Sequence, residues 1–212
     1  MSASIQHDPR GTITSRVPRL ENGETLTRPE FERRYTAMSG VSAELIEGKV
    51  YLASRVSYRD HGKPNAYIVT LLGLYESVTP GCESCTNGSV RLDLDNMPQP
   101  DALLRLSTEC GGQSSISSDD YVEGAPELCV EISNTSSSID LNEKLRSYRR
   151  NGVREYLVHR THDRSVDFFR LIEMRPGFGP IKRIGHRQTV IDDDDMKTRT
   201  VARQRGQRAL IA

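Results

Sequence analysis

PELCVEISNTSSSIDLNEKLRSYRRNGVREYLVHR, residues 126–160, is the stretch whose reading decides the fold. Leu128, Val130 and Ile132 point one way and Glu127, Cys129, Glu131 and Ser133 the other, the period-two pattern of a short strand. A turn rich in Ser and Asn follows. Ser137, with Asp140 three residues on, has the spacing of a helix start, although Glu or Gln is more usual at the second position. The helix then runs to Asn151-Gly152, where glycine takes the left-handed conformation that ends it. Val153–His159 reads as a second strand. Strand, helix and strand in that order predict a parallel pair joined by a crossover.

Two charged residues in this unit stand where structure alone would not put them. Leu141, Leu145 and Tyr148 form the apolar stripe of the helix, and Lys144 falls inside that stripe. Glu131 lies near the end of a strand that otherwise reads as buried, and a charge there is costly unless it is paired or holds a metal. A carboxylate at a strand end facing a lysine of the next helix predicts a metal and phosphate site.

Outward from this unit, the 212 residues suffice for one domain with a substantial core. A mean hydropathy of -0.57 predicts that part of the chain lies outside that core. With 29 basic and 29 acidic residues, global charge offers no case for nucleic-acid binding, so any such case rests on a local site. There is no long apolar run, and the first 25 residues are polar with Pro and Gly. A soluble cytoplasmic protein without a membrane span is therefore expected. Cys82 and Cys85 form a CxxC, half of a zinc site or a redox pair. No second CxxC exists, and with Cys110 and Cys129 they read as ordinary thiols.

Upstream, residues 1–26 read as a flexible tail. Thr27, Pro29 and EFERRYTAM predict a capped first helix, and AELIEGKVYL (43–52) predicts a tight hairpin turning at Glu47-Gly48. Ile68, Leu71, Leu72 and Tyr75 have the spacing of a second helix, from near His61 to before Pro80-Gly81. Ser89–Leu94 alternates as a strand, with Val90, Leu92 and Leu94 on one face, and Asp101 opens another, DALLRL. The Gly- and Ser-rich segment from Ser107 to Gly124 reads as a long loop, either disordered or over a functional site. Ser165–Ile172 reads as one more strand. Beyond Arg175 the signals fade into the run Asp192–Asp195, which reads as solvated, and a basic tail, 192–212, which reads as disordered. The whole predicts an α/β domain, residues 27–191, with helices on the faces of a mixed sheet.

Asp101, at the start of one strand, and Glu131, at the end of another, could share a hard cation such as Mg²⁺. Such an ion polarises a phosphodiester and lowers the pKa of water. Lys144 would hold the water or stabilise charge developing on phosphorus, with Glu44 as a fourth member. Each has a structural alternative. Pro-Asp is a common turn dipeptide, Glu131 could pair with an arginine, and Lys144 could pair with Asp140 at i, i+4.

Together these residues carry a resemblance. Over roughly Arg28–Leu171 the chain resembles the Uma-type restriction endonucleases, a branch of the PD-(D/E)XK nuclease superfamily. The segments that carry it are AELIEGKVY (43–51), TPG (79–81), QPDALLRL (99–106), GAPELCVEIS (124–133) and DLNEKLRSYRRNGVREYLV (140–158). Pro100-Asp101 matches the PD and Glu131 the acidic residue of the second half-motif. Ser133 stands where the motif's lysine would be, and Lys144 occupies the helix position that replaces it in this branch. Glu44 and His61 match an early acid and a histidine of the branch, and Asp140 also fits. The resemblance implies a restriction-endonuclease-like fold and Mg²⁺- or Mn²⁺-dependent cleavage of DNA. Asp101 and Glu131 would be metal ligands, Lys144 the catalytic lysine and Glu44 a supporting carboxylate. Pairing of two copies follows by the same analogy. Three features depart from the pattern: the C-terminal region, the absence of Trp and the presence of only four Phe. Two other readings compete: an inactive nuclease-fold module that binds DNA or a partner, and a small zinc or redox protein using Cys82 and Cys85.

Overall fold

The computed structural model describes residues 17–134, 137–171, 181–190 and 199–200, the last two segments by backbone alone. The unit that decides the fold folds as its pattern predicts. Strand β8 (Leu128–Ser133) pairs in parallel with β9 (Glu155–Arg160), and Val130 lies opposite Leu157. Between them the chain makes one α-turn, α3 (Ser137–Ile139), then a wide π-helical turn (Asp140–Lys144), then helix α4 (Leu145–Asn151). Gly152 ends the helix at φ +85°, and its N–H and that of Val153 reach back to Arg149 and Tyr148 carbonyls. The expected cap at Ser137 lies outside the described side chains.

Strand β8 lies in the interior of a seven-stranded mixed sheet. In spatial order the sheet runs β12 (Arg199–Thr200), β11 (Ile181–Val190), β10 (Ser165–Leu171), β9, β8, β5 (Ala102–Leu106) and β3 (Cys82–Thr86). Its other ladders are antiparallel. Both faces of β8 are covered, which is why it reads as almost continuously buried. On one face Val130, Ile132 and Ala102 pack under Leu72 of helix α2 (Lys63–Val78). On the other, Cys129, Tyr148, Tyr156, Val158 and Phe169 form a second cluster beneath α4, with Tyr156 against both Tyr148 and Phe169.

A separate hairpin, β1 (Ala43–Ile46) and β2 (Lys49–Leu52), turns at Glu47-Gly48 with both residues at positive φ, the mirror-image turn its sequence predicts. It packs on Phe31 of helix α1 (Arg28–Tyr35) and on Met97. Leu45 and Met97 exchange backbone hydrogen bonds, and the fully buried Asn96 accepts from the Glu47 N–H through its side chain. The hairpin is thereby fixed to the segment that leads into Asp101.

Several expectations are corrected. The packed chain begins within the stretch read as a tail, because Leu20 is buried and the Gly23 N–H donates to the Val50 carbonyl. Thr27 precedes α1 without a side-chain cap bond, and the helix ends at Tyr35. The strand expected over Ser89–Leu94 shortens to β4 (Val90–Arg91). A tight turn bridged between Asp93 and Asn96 follows it and throws Leu94 outward. The long loop is built: β6 (Ser115–Ile116) and β7 (Val122–Glu123) join β4 in a three-stranded sheet, so the segment covers Leu103 with Val90 and Val122. Of the four residues whose spacing predicts α2, Leu72 is buried, while Leu71 and Tyr75 face outward. Residues 181–190 form a ten-residue strand where the sequence carries no clear strand signal. The run Asp192–Asp195 lies outside the described residues.

At Gly152 an L-residue would be forced into the left-handed region, so Gly152→Ala is expected to lower the free energy of unfolding by about 1 kcal/mol. Urea denaturation of the full chain measures this directly.

Candidate functional site

The ladder between β5 and β8 sets Ala102 opposite Val130, which brings Asp101, at the start of one strand, beside the last residues of the other. One Asp101 oxygen accepts the Ile132 N–H at 2.7 Å, so the carboxylate also fastens the two strand ends together. Its other oxygen lies 3.0 Å from His61 Nε2.

Glu131 points from β8 into the space beneath the helical unit that follows. Lys144 enters the same space from above. Its Nζ sits 3.0 Å from Glu131 Oε1, 2.9 Å from Glu44 Oε2 and 3.9 Å from Asp140 Oδ1, and its side chain is about 5% exposed. Glu44 comes from the hairpin, where its carboxylate also accepts the Gln99 N–H at 3.2 Å. Tyr51, on the paired strand, donates its hydroxyl to Glu143 at 2.7 Å and holds the hairpin against the helical turn. Asp101, Glu131, Lys144 and Glu44, the four residues singled out from the sequence, are thus brought to one place, with His61 and Asp140 beside them.

Two wide helical turns carry this set. His61 lies in the π-helical turn Tyr58–Gly62 that precedes α2, and Asp140 and Lys144 lie in the one that precedes α4. Such turns are rare and recur at functional sites, since they shift the side chains that follow around the helix axis.

The charges do not balance pairwise. Four acids, Glu44, Asp101, Glu131 and Asp140, face Lys144 and His61. Burial would strip the Lys144 ammonium of its proton, but Glu131, Glu44 and Asp140 together outweigh it and hold the group charged well above the usual lysine range. Burial drives the Glu131 carboxyl far up. Lys144 opposes this, while the charges of Asp101, Asp140 and Glu44 add to it. Glu131 therefore holds a proton more readily than an ordinary carboxylate. The hydrogen bond to Asp101 raises the His61 pKa despite partial burial.

One member that the sequence assigned only to the core is Tyr148. Its hydroxyl donates to Glu131 Oε1 at 3.1 Å. The available signal was a tyrosine, rather than a phenylalanine, one turn after the misplaced lysine, because a buried hydroxyl needs a partner. The CxxC behaves otherwise. Cys82 and Cys85 sit three apart on β3 and so face opposite ways, one buried and one exposed, and do not converge.

Oxygen donors of this kind suit a hard divalent cation, and the excess of buried carboxylate over base suits one as well. His61 Nδ1, buried without a partner, adds an unsatisfied polar atom to the rim. Among the described residues no three His, Cys, Asp or Glu side chains converge as a ready cluster, and Lys144 occupies the centre between Glu44 and Glu131.

Comparison with known proteins bears on family and fold. The sequence model of the family described as "Uma2: Putative restriction endonuclease" matches residues 28–179, well over half of the chain. The chain belongs to the Uma2 family. Among solved structures it is similar to one from Anabaena variabilis ATCC 29413, described as a putative nuclease belonging to DUF820. The TM-score is 0.52 at 11% sequence identity, over 70% of this chain and 82% of that one. At that identity the likeness speaks to fold, and the fold of this Uma2 chain is the restriction-endonuclease-like mixed α/β sheet. No curated protein matches the sequence. Among the described residues no helix is long and apolar enough to cross a membrane.

Two stability effects follow. Lys144→Ala leaves buried carboxylates without their cation and is expected to cost about 3–5 kcal/mol in urea denaturation. Replacing Glu131 at the same time (Lys144→Met with Glu131→Gln) recovers most of that loss. The second effect depends on pH. Because the folded His61 pKa is raised above 6.5, its stabilisation is complete below that value and fades as pH rises through the folded value. His61→Gln is therefore expected to destabilise the protein more at pH 5.5 to 6.5 than at pH 8 to 9, as measured by thermal melts across that range.

Proposed function

We propose that this Uma2 protein is a metal-dependent endonuclease that hydrolyses DNA phosphodiester bonds. The observation that carries the reading is the buried Lys144 ammonium held between Glu131 and Glu44, beside the strand end that presents Asp101. A structural ion pair needs one acid per base. Here the acids outnumber the bases, which favours a site built to take up additional positive charge.

Asp101 and Glu131 would hold Mg²⁺ or Mn²⁺ through their carboxylate oxygens. What such an ion supplies is Lewis acidity, polarising a phosphodiester oxygen and lowering the pKa of water. The protein's own groups account for the rest. Lys144, fixed by Glu44 and Asp140, presents a permanent positive charge where negative charge grows on the phosphate, or orients the attacking water. Glu44 supports this by orienting the ammonium, and its own position is set by the Gln99 N–H. Tyr148 fixes one oxygen of Glu131. DNA is the substrate that the family's description favours, and a pair of copies would allow both strands to be cut.

A second reading, an inactive nuclease-fold module that binds DNA or a partner, is favoured by one specific observation. Both Asp101 oxygens are already engaged, by His61 and by the Ile132 N–H, and Lys144 already neutralises part of Glu131.

Cleavage of plasmid and single-stranded DNA with Mg²⁺ or Mn²⁺ separates the two. The nuclease reading expects metal-dependent cutting that falls at least about 100-fold in Asp101→Ala and in Lys144→Ala, with circular dichroism confirming that each variant is folded. Wild type inert on every substrate gives the binding-module reading; cutting that survives both changes removes these residues from the site.

A further inference from the structure

The chain that joins the hairpin to α2 lies open beside the site. It leaves the hairpin at Ala53, whose N–H donates to the Ser42 carbonyl, next to the strand that carries Glu44. It enters α2 through the turn Tyr58–Gly62, where His61 reaches Asp101. Between these two points every residue from Ala53 to Asp60 is exposed. Within the turn His61 faces Asp101, while Tyr58 and Arg59 face solvent. Both ends of the span therefore adjoin residues of the site, and its middle faces outward.

Arg55, Arg59 and Lys63 are exposed cations here, with Asp60 the one acid among them. Exposed arginines elsewhere are paired: Arg33 with Glu30, Arg150 with Glu47 and Arg170 with Glu155. Arg55 and Arg59 pair with no acid among the described residues. In a chain whose basic and acidic residues are equal in number, this is a local excess of positive charge. Two tyrosines stand among the cations, Tyr58 at 76% exposed and Tyr67 at 60%. Lys63 Nζ stands 6.0 Å from the centre of the Tyr67 ring, one helical turn on, so a cation and an aromatic ring are presented together.

We infer that this surface, through Arg55, Tyr58, Arg59, Lys63 and Tyr67, binds a single strand of nucleic acid and leads it to Asp101. Guanidinium and ammonium groups without acid partners suit a phosphate backbone. An exposed tyrosine ring offers a face on which an unpaired base stacks, whatever its sequence. A duplex hides its base faces within its own stack, so the rings select a single strand. A lipid surface also attracts cations and aromatic rings, but a helix that lies on one carries its basic residues along its polar face. Lys63, at the start of α2, is the one basic residue of that helix. The cations gather instead at the end that meets Asp101 through His61. The inference deepens the nuclease reading and rests on it for the fate of the strand, whereas none of the five residues belongs to the site itself.

Fluorescence anisotropy of a labelled oligo-dT strand of about 20 nucleotides, titrated with the full chain in EDTA, tests this without cutting. Wild type is expected to bind the strand at least about tenfold more tightly than the dT·dA duplex of the same length. Tyr58→Ala and Tyr67→Ala are each expected to weaken single-strand binding about fivefold or more, while Tyr58→Phe, which keeps a stacking ring, holds it within about twofold. Removing Arg55 and Arg59 together (both to Ala) is expected to flatten the slope of log affinity against log salt by about 1.4. All these positions are exposed, so melting temperatures stay level. No binding of the strand at about 100 μM protein overturns the proposal, as does binding that both alanine changes at the tyrosines leave unchanged. Binding of phosphatidylserine and phosphatidylcholine vesicles in place of the strand makes the surface a membrane contact and overturns it too. Cleavage assays keep the two readings apart. A wild type that binds the strand through these residues but is inert with Mg²⁺ or Mn²⁺ supports this surface and removes the nuclease reading. One that cuts without binding the strand in EDTA does the reverse.

Discussion

A charged lysine is buried within the domain, and much of the structure around the site is the means of keeping it there. An ammonium taken out of water is tolerable only beside opposite charge held in good geometry. Lys144 obtains that charge from three directions: Glu131 on the interior strand β8, Glu44 on the hairpin, and Asp140 one turn back in its own helical segment. Each direction makes a demand on the fold. Strand β8 must be covered on both faces, so that Glu131 is kept from water beneath the helical unit. The hairpin must be fastened to residues 96–99, and Tyr51 must reach across to Glu143. The turn carrying Asp140 must widen.

Asp101 plays a different part from the others. Its carboxylate joins the ends of β5 and β8 by accepting the Ile132 N–H, and so acts as a strut as well as a site residue. His61 meets its second oxygen from the far side of the sheet end, at the start of α2. The helices on the two faces are therefore tied to the same pair of strand ends. Geometry at the site and packing of the domain are not separable here.

Much of this was legible in the sequence where a residue type contradicted its surroundings. Lys144 in an apolar stripe and Glu131 in a buried strand each announced a partner, and the structure makes them partners of each other. Gly152, and Glu47 with Gly48, were legible because positive φ leaves so few residues to choose from. The errors have equally definite causes. Helical periodicity locates a helix without saying which of its apolar residues are covered: Leu71 and Tyr75 share the spacing of Leu72 and yet face outward. Alternation through Leu94 looked like a strand until the buried Asn96 folded the chain back. Glycine and serine between residues 107 and 124 suggested a loop, although two-residue strands need little hydrophobic signal once a neighbour supplies the ladder. Tyr148 was seen only as a ring, because the pattern of a stripe says nothing of where a hydroxyl points.

The site is also long-range in a way that bears on when it exists. Tyr51 and Glu143, which hold hairpin and helix together, are separated by 92 positions. Contacts of that separation must close large loops before they return any stabilisation, so they form late in folding. During synthesis the N-terminal part of a domain emerges first. The hairpin with Glu44 and the strand end with Asp101 leave the ribosome well before the helix that carries Lys144. A nascent chain therefore carries Glu44 and Asp101 before Lys144 has been made, and the assembled centre appears only after that helix has emerged. The order of residues along the chain is itself a delay on the assembly of this centre.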